Sequence, residues 1–321
     1  MKFRLLVSWL LLIPFTGALC DGKNDSSKVF QLQAIAPEFW TLFDQDTKLT
    51  TIATGFGFTE GPVWDPAGFV YVSDEVTNKI FRVYPDGKKE ELIALGDPDG
   101  NTFDRQQRLI DCASVLRAII RIDREGKYEM LADRFEGKRF NSPNDVVAGP
   151  DGALYFTDPT LDLPEGQKQE IPYQGVYRLD ESGKVTLLTR ELSQPNGLAF
   201  SPDGKRFYVD DSERRNILVF DFTPAHTLTN GRLFAEESGG KGEGVPDGMK
   251  LDRAGNLYVT GPKGIWVWDQ SGRHLGTITL PEQPANLAWG DADYATLYVT
   301  ATTSVYKIRT KVRGFVPYLT N

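Results

Sequence analysis

The chain carries one pattern six times over, and a recurrence of this length leaves few folds open. Its clearest copy is QPNGLAFSPDGKRFYVDDSERRNILVFDF, from Gln194 to Phe222. There Asn196 and Gly197 precede a short apolar run, a Ser201-Pro202-Asp203-Gly204 turn follows, and two further apolar segments close the copy. Pro presets φ and Gly supplies φ > 0, so Pro-Asp-Gly between apolar runs signals a β-hairpin. The other copies start at Thr59, Pro98, Pro143, Pro246 and Pro284, the third resuming at Gly175 after an insertion. Corresponding positions lie ~39, 45, 52, 51 and 38 residues apart, the range of four-stranded propeller blades.

Each copy shows three strand signals, and most are followed by a fourth: Glu91 to Leu95, Tyr128 to Ala132, Lys184 to Thr189 and Leu275 to Leu280. The sixth copy lacks one, whereas the N-terminal side has a spare at Lys48 to Thr54 (KLTTIAT). A strand donated from the N-terminus would complete the last blade and leave no open sheet edge within the ring. The expected fold is therefore all-β, a six-bladed β-propeller closed by an N-terminal strand. The expected division is a signal peptide at 1–20, an extension at 21–46, the propeller at 47–314 and a tail at 315–321.

The signal peptide is read from Lys2 and Arg4 ahead of an unbroken apolar run, Leu5 to Phe15, ending at Ala18-Leu19-Cys20. An uncleaved anchor and lipidation at Cys20 are the alternatives, and export to the periplasm or outside the cell is the expectation. Loss of Lys2 and Arg4 takes the formal net charge from -8 to -10. An acidic chain without Lys/Arg clusters argues against nucleic acid or anionic membrane as partners; no obligate protein partner is predicted either. Cys112 then stands alone and reads as a buried small hydrophobe.

In a propeller the innermost strand of each blade lines a central channel, and the residue at its start faces the mouth. That position holds Glu60, Asp99, Asn144, Asn196, Asp247 and Ala285. Five of the six carry a side-chain oxygen, and Glu60 is a poor turn former, which weakens a turn-only account. Crowded carboxylates repel one another unless a cation compensates. An all-oxygen set suits a hard divalent ion, Ca²⁺ before others, whereas zinc would want His or Cys. His226 and His274 are out of register and read as surface residues, and no Gly-x-Ser-x-Gly elbow is present. Trp64, Trp266, Trp268 and Trp289 read as blade packing; Trp40 has no assigned place.

The motifs TEGPVWD at Thr59, NSPNDVV at Asn141, FTDP at Phe156, QPNGLAFSPD at Gln194 and VPDGMKLD at Val245 resemble, in this order, the regucalcin/gluconolactonase (senescence marker protein) family, bacterial gluconolactonases included. The likeness implies a divalent cation held by Glu60, Asn196 and Asp247, a substrate contact from Asn144, and Asp247 as general base and acid. It implies hydrolysis of a sugar lactone. Two departures limit the transfer. Ser142 stands where regucalcin-like members carry an Arg, with Arg139-Phe140-Asn141 repeating that pattern three residues early. The second copy reads Cys112-Ala113-Ser114 where bacterial relatives often carry a Cys-acidic-His run. The insertion Leu161 to Gln174 is expected to form a lid or rim loop that governs substrate choice. A non-catalytic, metal-stabilised binding propeller and a metal-dependent esterase or phosphotriesterase stay open as alternative functions.

Overall fold

The structure is a computed structural model that describes residues 29–240 and 242–319. The leader and Cys20 lie outside them. Six antiparallel sheets follow one another around an axis. The first five open with Thr59–Asp65, Pro98–Phe103, Val146–Ala148, Pro195–Phe200 and Met249–Leu251, each continuing outward through three strands in chain order. The sixth runs Pro284–Gly290, Thr296–Ala301 and Ser304–Arg309, and Leu49–Thr54 pairs with its outer strand. The spare N-terminal strand thus closes the ring, as the sequence implied. Among the described residues no helix is long and apolar enough to cross a membrane.

The repeat dictates this arrangement because each blade has two apolar faces and buries them only against its neighbours. The apolar clusters are accordingly shared between adjacent blades. Tyr155 of blade 3, for example, meets Phe200, Phe207 and Phe222 of blade 4 at centroid distances of 4.8, 5.7 and 5.7 Å. Trp64 of blade 1 stacks on Tyr298 of blade 6, and Trp289 of blade 6 meets Tyr258 of blade 5 edge-on. Both contacts seal interfaces.

Three features have no signal in the repeat. Gln31–Ala34 adds a fifth strand to blade 5, and Pro37–Thr41, a 3-10 turn, packs Phe39 and Trp40 against the core between blades 5 and 6. Trp40 therefore has a structural place. His274 is not a bare surface residue: its ring lies against Trp266 and Trp268 at 4.5 and 4.6 Å. His226 sits in a turn with Nδ1 3.3 Å from Asp151 Oδ2, and Cys112 is a buried free thiol.

The C-terminal segment turns under the ring. The Phe315 amide donates to the Leu251 carbonyl (2.9 Å), and Tyr318 donates to the Trp64 carbonyl (3.3 Å) while its ring meets Phe103 edge-on. These contacts lie deeper along the innermost strands than the mouth residues. Phe315, Val316, Pro317 and Tyr318 line one end of the channel, facing a ring of Val63, Thr102, Val147, Ala199, Lys250 and Ala288. The cavity left between them is about 40 Å³, space for only a few waters.

Candidate active site

Four mouth residues, Glu60, Asp99, Asn196 and Ala285, are the second residue of their innermost strand; the pairing register breaks directly after Glu60 and across the other three. A bulge at that point bends the strand and re-aims the side chain, here toward the axis. Asn144 and Asp247 instead precede the shorter strands of blades 3 and 5. Hydroxyls of the second strands lock this layer to the next blade: Ser73 Oγ donates to the Asp99 carbonyl (2.7 Å), Thr157 Oγ1 to that of Asn196 (2.8 Å) and Thr260 Oγ1 to that of Ala285 (2.5 Å).

Close approach sets the glycines that flank the mouth. A Cβ on Gly197 would lie 1.9 Å from the Asp247 carbonyl oxygen and 2.9 Å from Asp210 Oδ2. Gly197→Ala must therefore push Asp247 out of place. Ångström-scale displacement of a reacting group costs on the order of 10²-fold in rate, so a loss of that size in Gly197→Ala, with circular dichroism still reporting a folded sheet protein, is the result expected of chemistry at Asp247.

Glu60 shares a carboxylate cluster with Asp99, and Asn144 is bonded to Asp99. Glu60, 4% exposed, accepts from the Gly61 amide (2.8 Å) and from Asn286 Nδ2 (2.9 Å), both on Oε2. Asn196 Nδ2 donates to Ser212 Oγ (3.2 Å), which donates to the carbonyl of Pro246 (2.7 Å), the residue before Asp247. Asn144 Nδ2 lies 2.6 Å from Asp99 Oδ2 and 3.5 Å from Asp162 Oδ2.

The structure adds acids that in-register reading missed. Glu60, Glu75 and Asp99 each place a carboxylate oxygen within 4.8 Å of the others, a cluster that could hold a cation. Glu75 follows the second strand of blade 1, outside the mouth register, which is why the period gave no sign of it. Asp162 comes from the insertion, whose amide there donates to Ser142 Oγ (3.2 Å). Ser142, standing where an Arg was expected, thus anchors the rim loop over Asn144. Arg139 points elsewhere, donating to the Leu116 carbonyl (2.7 Å), and Asn141 holds the carbonyls of Asp158 and Tyr173. Ile171 of the insertion is buried in the core between blades 2 and 3, so the rim segment is packed down along part of its length.

Burial and mutual repulsion push these carboxyls up. Burial raises Glu60 to about 7, its hydrogen bonds from Gly61 and Asn286 opposing the shift. Burial and then the charges of Glu60 and Asp162 push Glu75 to about 10, and burial with neighbouring acids holds Asp99 and Asp247 well above the usual carboxylate range. An all-oxygen donor set, buried and electrostatically strained, fits a hard divalent cation and gives softer metals nothing to prefer.

A six-bladed ring that brings Glu60, Glu75 and Asp99 together at one end of its innermost strands defines a propeller with an acidic, oxygen-lined mouth. The sequence pattern described as the SMP-30/Gluconolactonase/LRE-like region matches residues 58–303, and the chain belongs to that family. It is 34% identical to the gluconolactonase of Zymomonas mobilis over 93% of this chain and 92% of that protein. It is 29% identical to a pentonolactonase of Haloferax volcanii over 79% and 84%. A solved gluconolactonase from Xanthomonas campestris superposes with a TM-score of 0.81 at 31% identity, covering 87% and 94%.

Proposed function

We propose that this protein opens a sugar lactone at the channel mouth with the help of one divalent cation, Ca²⁺ foremost. Its similarity to a gluconolactonase and a pentonolactonase makes it a lactonase. The observation that supports the finer reading is the carboxylate cluster of Glu60, Glu75 and Asp99, with Asn144 bonded to Asp99 and the charge of Glu60 acting on Asp247.

Glu60, Asn196 and Asp247 would hold the ion, with Asp99 and Glu75 beside Glu60. When bound, the ion polarises the lactone carbonyl and favours charge on its oxygen, a contribution of several kcal/mol to the transition state. Asp247 accepts a proton from the attacking water as the water oxygen bonds to the carbonyl carbon. It returns that proton to the ring oxygen as the C–O bond breaks, so a hydroxy acid leaves. Asn144, braced by Asp99, and Asp162 from the rim are placed to orient substrate hydroxyls. The leader read at residues 1–20 would put this reaction outside the cytoplasm.

Acid release from glucono-1,5-lactone, corrected for spontaneous hydrolysis, tests the proposal with and without EDTA. Turnover that chelation abolishes and CaCl₂ restores is the expected result. A protein that binds Ca²⁺ yet gives no turnover on any lactone would be a binding module instead, and turnover indifferent to chelation would remove the ion from the mechanism.

A further inference from the structure

One charged side chain rises into the channel from the far side of the mouth. Lys250 belongs to the ring of Val63, Thr102, Val147, Ala199 and Ala288, and is its only charged member. Its stem crosses an apolar chamber that the C-terminal segment closes, and Nζ lies 3.4 Å from Asn286 Oδ1. Asn286 passes the contact upward, because its Nδ2 donates to Glu60 Oε2 (2.9 Å). Gly248 leaves the room for it: a Cβ there would meet Asn286 Oδ1 at 2.1 Å.

Beside this chain stands Asp145, 2% exposed. Its Oδ1 accepts from the Val146 amide (2.8 Å), but Oδ2 is buried without a hydrogen-bond partner. Asn101 Oδ1, in the same layer, is likewise buried and unpartnered. The Lys250 charge is the leading interaction that favours ionised Asp145. A buried carboxylate with an empty oxygen needs a nearby cation or a steep energetic cost follows.

We propose that the Lys250 ammonium is a tethered resident cation of the channel, filling the layer between Asp145 and Asn286 that a second metal ion would otherwise have to fill, and holding Asn286 so that Glu60 stays aimed at the mouth. Lys250 is a positioning residue and touches no substrate. The inference borrows from the proposed function only the place of the first ion.

Melting of the full chain in EDTA, for wild type, K250M, D145N and the double variant, decides it. K250M strands a buried carboxylate and should lower the midpoint by roughly 5–10 °C. D145N in the same chain removes that charge and should recover at least half of the loss. Excess CaCl₂ should raise the midpoint of K250M by more than that of wild type, because an ion can enter the vacated layer. Additive shifts in the four-protein cycle overturn the proposal, as does a CaCl₂ gain in K250M no larger than in wild type. If K250M does not fold, recovery of folded protein in the double variant supports the proposal and its absence overturns it. A wild type with no Ca²⁺ response and no lactone turnover would sink the proposed function and leave this cycle readable.

Discussion

Asp247→Asn should lose about 10³-fold in kcat at saturating CaCl₂, the scale of a lost general base, while the cation-free protein melts higher than wild type. Both halves come from the same burial. Asp247 is half-buried, and desolvation together with the charges of Glu60, Asp145 and Asp162 holds its carboxyl well above the usual carboxylate range. Asparagine keeps an oxygen toward the ion and the shape of the side chain, but it cannot take a proton from water and carries no charge for its neighbours to repel. Loss of activity with gain of stability is the pattern of a site held under electrostatic strain. Initial rates together with melting in EDTA give the two readings. Undiminished kcat at saturating ion would place the base elsewhere, with Asp99 the next candidate.

Removing the cation should invert the protein's response to pH. In EDTA, Glu60 is held up to about 7 and Glu75 to about 10, by burial first in both cases. The folded state then keeps protons that the unfolded chain sheds near pH 4.5. Where the folded state binds more protons, stability falls as pH rises. The cation-free protein is therefore expected to be most stable at or below about pH 4.5 as far as these groups are concerned, and to lose stability through pH 7 as Glu60 ionises. The slope is up to about 1.4 kcal/mol per pH unit for each group in its window. Saturating CaCl₂ should reverse the trend, because protons now compete with the ion for the same oxygens. Melting between pH 5 and 8 with EDTA and with CaCl₂ checks both arms. Parallel curves would mean that the ion is not held by these carboxyls.

The architecture could be read from the chain because a propeller writes its geometry into a period. Six spaced hairpin turns gave the blades, and the unmatched fourth strand of the last copy pointed to Leu49–Thr54. Part of the mouth was legible for the same reason, since Glu60 and Asp99, which meet in one carboxylate cluster, share one register position. What was not legible lies off that period. Glu75 projects from a connection, Asp162 from an insertion, and neither has a counterpart in other blades against which it could be aligned. Lys250 and Asn286 do sit in register, but on deeper layers, and only the packing of blade 5 against blade 6 brings them to Glu60. Ser142 shows the limit of motif transfer: its hydroxyl accepts from the Asp162 amide, a job unrelated to that of the Arg expected there.

The C-terminal segment packed beneath the ring by Phe315 and Tyr318 makes the channel a cul-de-sac. Whatever enters the channel, water and ions included, leaves by the end at which it came in. The dead end thus keeps the layer around Lys250 out of reach of anything that has not first passed the acids of the mouth.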